Sequence, residues 1–311
     1  MSTPLAQAPA AIPLTPNASR TLRGRRHGVP AVLLALVAEP LPLAATVVLV
    51  LVVLHAVLAQ SAAPFSPVFQ DLAARLKPPM YVDNNGLHVL GTDALGRDIL
   101  SRLIFGSRVS LIIGFTSVVV AGSIGVLLGL IAGYARGVID NIVMRIGDIQ
   151  LSVPFLVLAL ATVAVVGPSL LNLIVVLGVT GWVQYARIIR AETLSVTSRE
   201  YVDAVRVLGA APARIVVHHI FPNVLSSVVV VGTLQISRMI LFEASLSFLG
   251  LGVPPPTPTW GGMVADGRTY VENAWWVSTI PGLAIFLTVL AVAVLGERLR
   301  DVLDPRLQTV S

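Results

Sequence analysis

Apolar residues in this chain are grouped in runs long enough to cross a lipid bilayer. A spanning helix needs about 20 apolar residues, because a hydrocarbon core about 30 Å thick is crossed at about 1.5 Å per residue. The first run is 41–59, and a second occupies the 27 uncharged residues between Arg108 and Arg136. Two later apolar runs are 224–249, which contains Arg238 and Glu243, and 273–296. Each of these four runs predicts one transmembrane helix.

A fifth apolar run is too long for a single span. It holds 38 uncharged residues between Asp148 and Arg187, which as one helix would measure roughly 57 Å, about twice the hydrocarbon core. The tripeptide Gly167-Pro168-Ser169 lies at its middle, and proline interrupts helical hydrogen bonding. We therefore predict two spans joined by a tight hairpin, and an all-α membrane protein with six transmembrane helices.

The composition is typical of a protein embedded in lipid, and it excludes sites that require cysteine. Hydrophobic residues make up 55% of the 311 positions and charged residues only 12%, against roughly 25% charged in soluble domains. The chain contains no cysteine, so disulfides and thiolate metal sites are excluded. The adjacent pair His218-His219 is not interpreted as a metal site, because neighbouring side chains on a helix point about 100° apart.

The N-terminal segment differs in composition from the spans. Residues 1–28 are rich in Ala, Pro, Ser and Arg, which is typical of a disordered basic tail. The apolar stretch 29–38 is too short to span, so we interpret 1–40 as a tail and an interfacial segment that leads into the first helix. A signal peptide is the alternative, although Glu39-Pro40 and the residues around it offer no small-x-small cleavage site.

The distribution of positive charge predicts the orientation of the chain. With a cytoplasmic N-terminus, fourteen arginines and lysines fall in inner segments and six in outer ones. Such residues concentrate on the cytoplasmic side of membrane proteins. We therefore expect a multi-pass protein of the cell (inner or plasma) membrane with both termini in the cytoplasm.

The longest cytoplasmic connection follows the fourth predicted span and has the pattern of a short amphipathic helix. Thr197 and Glu200 have the spacing of a capping box. Four apolar side chains then fall on one helical face: Tyr201, Val202, Val205 and Leu208. Gly209 suits the end of a helix, and Pro212 suits the first turn of the next. The apolar face is interpreted either as lying on the membrane surface or as inserting into a groove of a partner protein.

The same connection resembles the EAA loop of ABC importer permeases. Aspartate at 203 replaces the glutamate of the family and keeps its charge, and valine at 205 replaces the second alanine. The resemblance implies a coupling helix that seats in a cleft of a separate ATPase subunit. The residues that it assigns to ATPase coupling are Glu200, Tyr201, Asp203, Ala204, Val205, Leu208, Gly209, Ile215, His219, Pro222 and Asn223.

Further stretches of the sequence resemble one subgroup of these permeases, and the resemblance as a whole covers residues 85–308. The stretches 91–111 (GTDALGRDILSRLIFGSRVSL), 242–262 (FEASLSFLGLGVPPPTPTWGG) and 299–307 (LRDVLDPRL) are similar to C-type permease subunits of dipeptide, oligopeptide and nickel importers. So is Met144-Arg145-(two)-Asp148. The resemblance implies a type I ABC importer permease fold, with this chain forming half of the translocation pathway. It also implies a sister B-type permease subunit, two ATP-binding subunits and an external substrate-binding protein as partners, besides membrane lipid and without nucleic acid.

The predicted organisation follows from these signatures and spans. An external loop with an interfacial helix occupies 60–108, and the core permease domain occupies 109–298. Within the core, the coupling loop is 194–222 and a second external loop is 252–275. A cytoplasmic tail follows at 299–311.

The chain itself lacks the residues for ATP hydrolysis. A P-loop needs lysine after a glycine-rich turn, and the single lysine, Lys77, lies between Leu76 and Pro78. We therefore expect no cofactor on this chain, with ATP and Mg²⁺ bound by the partner ATPases. The mechanism that the resemblance implies is alternating access, driven by closure of those ATPases against the coupling helices.

Residues 97–109 precede the second span and separate apolar from polar positions. We predict a helix lying in the outer interface, with Asp98 and Arg102 as an i,i+4 ion pair. This region is interpreted either as a structural elbow or as a contact for the substrate-binding protein. The external signature residues of the wider stretch 91–111 are Asp93, Gly96, Arg97, Asp98, Arg102 and Arg108.

Small and charged residues inside the spans carry two further predictions. Gly125, Gly129 and Gly133 recur at four-residue spacing and predict close helix packing, within the chain or against another subunit. Arg238 and Glu243 lie within the fifth span, and intramembrane charges usually face a cavity or another chain. We interpret both as candidates for the lining of the translocation path, although their spacing places them about 140° apart on a helix.

Other function classes fit the sequence less well. A proton-coupled secondary transporter predicts internal repeats, and none is evident. An intramembrane hydrolase needs a catalytic motif such as Gly-x-Ser-x-Gly or His-Glu-x-x-His, and neither occurs. A structural assembly factor does not explain a coupling loop. Di- and oligopeptides are the leading substrates, and nickel, opines and glutathione are the alternatives.

Overall fold

The computed structural model describes residues 39–303. The predicted basic tail and interfacial segment before residue 39, and the signature residues from 304 onward, lie outside the described residues.

Within this range the chain is mostly helical. The helices are α1 (Pro40–Val57), α2 (Ala59–Ala62), α3 (Ile99–Ala135), α4 (Gly137–Leu151), α5 (Phe155–Val166), α6 (Leu170–Thr197), α7 (Glu200–Val207), α8 (Pro212–Ile215), α9 (Phe221–Phe248), α10 (Trp260–Gly267) and α11 (Trp276–Leu303). The strands β1 (Tyr81–Asp83) and β2 (Gly86–His88) form an antiparallel hairpin. Single 3-10 turns lie at Leu72–Ala74 and Arg268–Tyr270, and a π-helical turn lies at Val216–Ile220.

Five helical units of the described chain are long and apolar enough to cross a membrane. They are α1, α3, α6, the continuous unit α8–α9, and α11. A sixth crossing exists if α4 and α5 are counted together, and these two helices meet at a bend of 84°. With 12 residues, α5 measures only about 18 Å and is too short to cross alone. The prediction of an all-α membrane protein is confirmed, but its third span is broken at 152–154, where Pro154 precedes α5.

The predicted hairpin between the third and fourth spans lies where the sequence places it. Gly167 ends α5 with a φ of +93°, a conformation that favours glycine. Ser169 then caps α6, because its hydroxyl oxygen accepts a hydrogen bond from the backbone N–H of Asn172 at 3.1 Å.

The second span is longer than predicted. Helix α3 has 37 residues and measures about 56 Å. It begins at Ile99 because Asp98 caps it, accepting hydrogen bonds from both the backbone N–H and the hydroxyl of Ser101 at 2.7 Å. The prediction of a separate interfacial helix over 97–109 is therefore wrong, since these residues form the first turns of the span itself.

The centre of the bundle is the contact between α3 and α6. A Cβ atom at Gly125 would lie 2.4 Å from the carbonyl oxygen of Trp182, and one at Gly129 would lie 2.8 Å from that of Ala186. A Cβ at Gly133 would clash with α6 in the same way. The glycine stripe therefore serves a contact within the chain, where it lets the two backbones approach closely.

The bundle has two distinct ends. The end that carries α7 and α8 also holds the start of α1 and the last turns of α11, where Glu39 and Arg298 form an ion pair at 2.7 Å. We call this the α7 end. The opposite end, called the hairpin end, carries β1–β2, the start of α3, and α10. The indole N–H of Trp276 donates to the carbonyl of Thr92 there at 3.3 Å.

Two predicted boundaries shift in the structure. Helix α6 continues to Thr197, and α8 runs through the π-helical turn into α9, so the segment between the spans at the α7 end is 198–211 rather than 194–222. Helix α11 stays helical to Leu303, beyond the predicted start of the tail at 299.

Candidate functional site: the connection between α6 and α9

Helix α7 is fixed to the bundle by one apolar face. Val202 of α7 is fully buried and joins a cluster with Ile215 of α8, Leu130 of α3 and Ile189 of α6. Val205 packs against the same cluster. Burying a side chain of this size contributes about 1.5–3 kcal/mol relative to exposure. The short helix is therefore held against both α3 and α6.

A polar contact joins α7 to the start of α9. The Tyr201 hydroxyl accepts a hydrogen bond from Nδ2 of Asn223 at 3.3 Å and donates to the carbonyl of His219 at 3.4 Å. Nδ2 of Asn223 also donates to that carbonyl at 2.7 Å. Three of the residues predicted for ATPase coupling thus meet at one point, together with the adjacent Pro222.

The backbone turns sharply between α7 and α8. Gly209 has a φ of +82°, and Pro212 lies in the first turn of α8, both as predicted from the sequence. The predicted capping box is wrong. The hydroxyl of Thr197 donates to the carbonyl of Thr193 inside α6, and Arg199 occupies the N-cap of α7 without a side-chain hydrogen bond.

The outer face of α7 combines a small ion pair with two exposed apolar side chains. Asp203 and Arg206 are bonded at 2.7 Å, and Glu200 and Ala204 are exposed beside them. The exposed fraction is 87% for Val207 and 84% for Leu208. The predicted apolar stripe is therefore divided, since its middle faces the bundle while Leu208 points away from it.

At the hairpin end, an ion-pair network replaces the predicted pair of Asp98 and Arg102. Oδ2 of Asp93 accepts from Nε of Arg97 at 2.7 Å and from Nη1 of Arg102. Both arginines also reach Asp266 in α10, at 3.3 Å and 3.2 Å. The i,i+4 prediction is wrong because Asp98 caps α3, which leaves Arg102 to bind Asp93.

The external signature residues present little surface. Gly96 has a φ of +71°, and a Cβ there would lie 1.7 Å from the carbonyl oxygen of Asp71. Apart from Arg108, the signature residues are buried. Since buried side chains offer no contact area to a partner, the geometry favours the structural elbow over a contact for a binding protein.

A histidine beside this network links the β-hairpin to α3. Nδ1 of His88 lies 2.9 Å from Oδ1 of Asp98, and its Nε2 lies 3.3 Å from Oδ2 of Asp83. Burial raises the pKa of the Asp83 carboxyl, but hydrogen bonds from Asn85, His88 and Gly86 outweigh it and hold that pKa below its ordinary value.

Glu243 lies inside the bundle. Its side chain has no exposed surface, and its carboxylate accepts hydrogen bonds from Ser110 of α3 at 3.0 Å and from Ser247 at 2.7 Å. The hypothesis that Glu243 faces a path is therefore contradicted in this structure, because its charged group is turned into the contact between α3 and α9.

Arg238 is placed differently. It is exposed on α9, and its Nη1 donates to Oε1 of Gln184 at 2.7 Å and to Oε1 of Gln235 at 3.4 Å. No carboxylate among residues 39–303 forms an ion pair with it. In the same part of the chain, no group of three or more His, Cys, Asp or Glu side chains could hold a metal ion.

Sequence reasoning missed several residues that the structure brings together. Gln184 and Gln235 are amide side chains within α6 and α9, and nothing in the sequence indicates that both contact Arg238. Asp266 could not have been found from spacing, because its partners Arg97 and Arg102 are 169 and 164 positions away. The partners of His88, Asp83 and Asp98, are only 5 and 10 positions away, but the hairpin that brings them together was not predicted from the sequence.

Comparison with known proteins gives the family. Residues 125–309, more than half of the chain, match the family described as binding-protein-dependent transport system inner membrane component. The dipeptide transport system permease protein DppC of Escherichia coli is 47% identical over 263 residues, which cover 84% of this chain and 88% of that protein. The di/tripeptide transport system permease protein DppC of Pseudomonas aeruginosa is 44% identical over 264 residues, 85% and 87% of the two chains.

A solved structure supports the fold. A chain of the MetNI methionine ABC transporter in an inward-facing conformation matches with a TM-score of 0.54 at 21% identity, covering 65% of this chain and 96% of that one. The expected type I importer permease fold is confirmed. This chain therefore belongs to the family of binding-protein-dependent transport system inner membrane components, the membrane-spanning permease subunits of ABC importers.

Proposed function

We propose that this chain forms half of the translocation pathway of an ATP-driven importer of di- and tripeptides. The substrate class is supported by two relatives, a di/tripeptide and a dipeptide transport system permease protein, which are 44% and 47% identical over most of their length. Nickel, opines and glutathione are the alternative substrates that the sequence signatures leave open.

The proposed coupling role is supported by the two different sides of α7, of which one is buried against the bundle and the other is exposed. The inner side packs against α3 and α6 through Val202, while the outer side exposes Val207 and the C-cap residue Leu208. An anchored helix with exposed apolar side chains is suited to insertion into a groove of a partner protein. In our proposal that partner is an ATP-binding subunit, and the buried face transmits its movement to the bundle.

The remaining partners and the orientation follow from this assignment. The α7 end and both termini lie in the cytoplasm, and the hairpin end faces the substrate-binding protein. A sister B-type permease supplies the other half of the pathway, and two ATP-binding subunits bind ATP and Mg²⁺. Closure of these subunits rocks the two permeases between inward-facing and outward-facing states, while this chain catalyses no covalent step.

The test is a charge placed on the proposed docking surface. In the complete importer, Leu208→Asp is expected to lower ATP-dependent uptake of a labelled dipeptide at least tenfold, because a carboxylate replaces an apolar contact. ATP-binding subunits should also be lost during affinity purification. Leu208→Met is the matched control, since methionine keeps an apolar side chain of similar volume at the same position and should preserve both uptake and the ATP-binding subunits.

Retention of both uptake and the ATP-binding subunits in Leu208→Asp would contradict docking through α7. A different ligand retained on the purified binding protein would overturn the peptide assignment. Uptake by this chain alone under a pH gradient would instead favour a proton-coupled transporter.

A further inference from the structure

Arg238 places a positive charge in the middle of α9, and no carboxylate among residues 39–303 forms an ion pair with it. Arg238 lies ten residues before Phe248, where α9 ends, so it is about 15 Å from the hairpin end of that helix. Its side chain is exposed on the bundle. A charged group at this depth is costly against lipid, so it faces either a water-filled path or another chain.

The contacts of Arg238 orient its guanidinium without neutralising it. Both acceptors are neutral amides, Gln184 on α6 at 2.7 Å and Gln235 on α9 at 3.4 Å, and both bind the same nitrogen, Nη1. Arginine carries five N–H donors in a planar fork. Nε and Nη2 make no hydrogen bond with any residue in the range 39–303 that the structure describes, so one edge of the fork stays available.

Two arginines of α6 differ from Arg238 in this respect. Arg187, one turn along α6 from Gln184, is bonded to Asp148 at 2.5 Å, and Arg190 is bonded to both oxygens of Asp140. Each of those charges is already compensated by a carboxylate. The guanidinium of Arg238 is instead oriented by two neutral amide groups and keeps its positive charge uncompensated within the described chain. Such a group can bind an anionic ligand transiently.

We propose that Arg238, positioned by Gln184 and Gln235, is a binding station in the translocation path for a carboxylate of the transported molecule. The planar edge of a guanidinium binds a carboxylate through two parallel hydrogen bonds. In an importer of peptides that group is the C-terminal carboxylate. The inference rests on the proposed function, and it adds a specificity determinant within the membrane to the selection made by the binding protein.

The test compares two forms of one peptide in the reconstituted importer. A dipeptide with a free carboxylate and its C-terminal amide are each supplied at saturating concentrations of their complex with the binding protein, so that receptor affinity does not enter. We expect the wild-type importer to transport the free acid about tenfold faster than the amide. In Arg238→Gln this ratio should fall to about one, through slower transport of the acid and unchanged transport of the amide.

Three further variants separate this role from a structural one. Arg238→Lys keeps the charge but not the fork and should give an intermediate ratio. Gln184→Leu should lower the ratio with Arg238 intact, because it removes the nearer acceptor that positions the guanidinium. Arg187→Gln is the matched control and should keep the wild-type ratio, since its charge is paired with Asp148.

Assembly is checked by the yield of complete complex and by its basal ATPase activity. If Arg238→Gln slows transport of the acid and of the amide equally, or slows neither, Arg238 does not bind the carboxylate of the peptide. The arginine then faces the sister permease, and the proposal of peptide import is unaffected. If the wild-type importer transports no peptide at all, the proposed substrate class and this inference both fall.

Discussion

Nδ2 of Asn223 lies 3.3 Å from the hydroxyl of Tyr201, and this contact joins the helix α7 to the first turn of α9. The same amide also donates to the carbonyl of His219 at 2.7 Å. In the proposed coupling, these directional hydrogen bonds act beside apolar packing in passing a movement of α7 to α9. The polar part of this connection can be tested separately from the packing.

Tyr201→Phe removes the hydroxyl and leaves the ring in place. The lost hydrogen bonds are worth about 0.5–1.5 kcal/mol, so we expect the number of peptides imported per ATP hydrolysed to fall between twofold and tenfold. Uptake and ATP hydrolysis are measured together in proteoliposomes. Tyr270→Phe is the control, because that hydroxyl accepts from Arg75 at the hairpin end. An unchanged ratio in Tyr201→Phe would show that the contact plays no part in coupling.

A methyl group added to the contact between α3 and α6 should destabilise the bundle. In Gly129→Ala the new Cβ lies 2.8 Å from the backbone oxygen of Ala186 and cannot be accommodated without moving a helix. We expect a loss of about 1–3 kcal/mol in the free energy of unfolding, seen as a lower Tm of the protein in detergent. Gly232→Ala is the matched control, because its Cβ would lie at an ordinary 3.5 Å from the Tyr185 hydroxyl. Equal Tm values for the two variants would contradict this packing.

Neutralising the acidic centre of the hairpin-end network should be far more damaging than neutralising an exposed ion pair. Asp93→Asn leaves the buried guanidinium groups of Arg97 and Arg102 with only the half-exposed Asp266. Breaking a buried pair costs about 3–5 kcal/mol. Asp148→Asn removes an exposed partner of Arg187 and should cost about 0–1 kcal/mol.

Chemical denaturation of the purified variants in detergent provides the comparison. A loss in Asp93→Asn no larger than that in Asp148→Asn would mean that the network does not hold α3 to α10. The pair of variants thus separates a structural elbow from a surface that serves only a partner.

Hydropathy and local chemistry predicted much of the fold. The runs of apolar residues place most of the spans, and Gly167, Gly209 and Pro212 mark turns through backbone preferences that depend on a residue and its neighbours alone. The separation of α5 from α4 could not be predicted in this way, because the length and hydropathy of an apolar run do not reveal the bend of 84° between the two helices.

The predictions for the candidate sites succeeded for residues that are close in sequence and failed for contacts that depend on the folded structure. Tyr201, Gly209 and Asn223 lie in one short segment, from α7 to the first turn of α9, because they are close in sequence. The pairing of Asp98 with Arg102 failed because Asp98 instead caps α3 and Arg102 instead binds Asp93. Gln184 escaped attention since its importance depends on Arg238, which is 54 positions away.

The uninterrupted course of α3 has a mechanical consequence. Arg102 near its start is clamped by the hairpin-end network, and Leu130 near its other end lies in the same apolar cluster as Val202 of α7. These two points are about 42 Å apart along a helix without a proline. A tilt of only 5° about the clamp displaces the far end by about 4 Å, so α3 acts as a stiff lever that turns small angular changes at one membrane face into several ångströms of travel at the other.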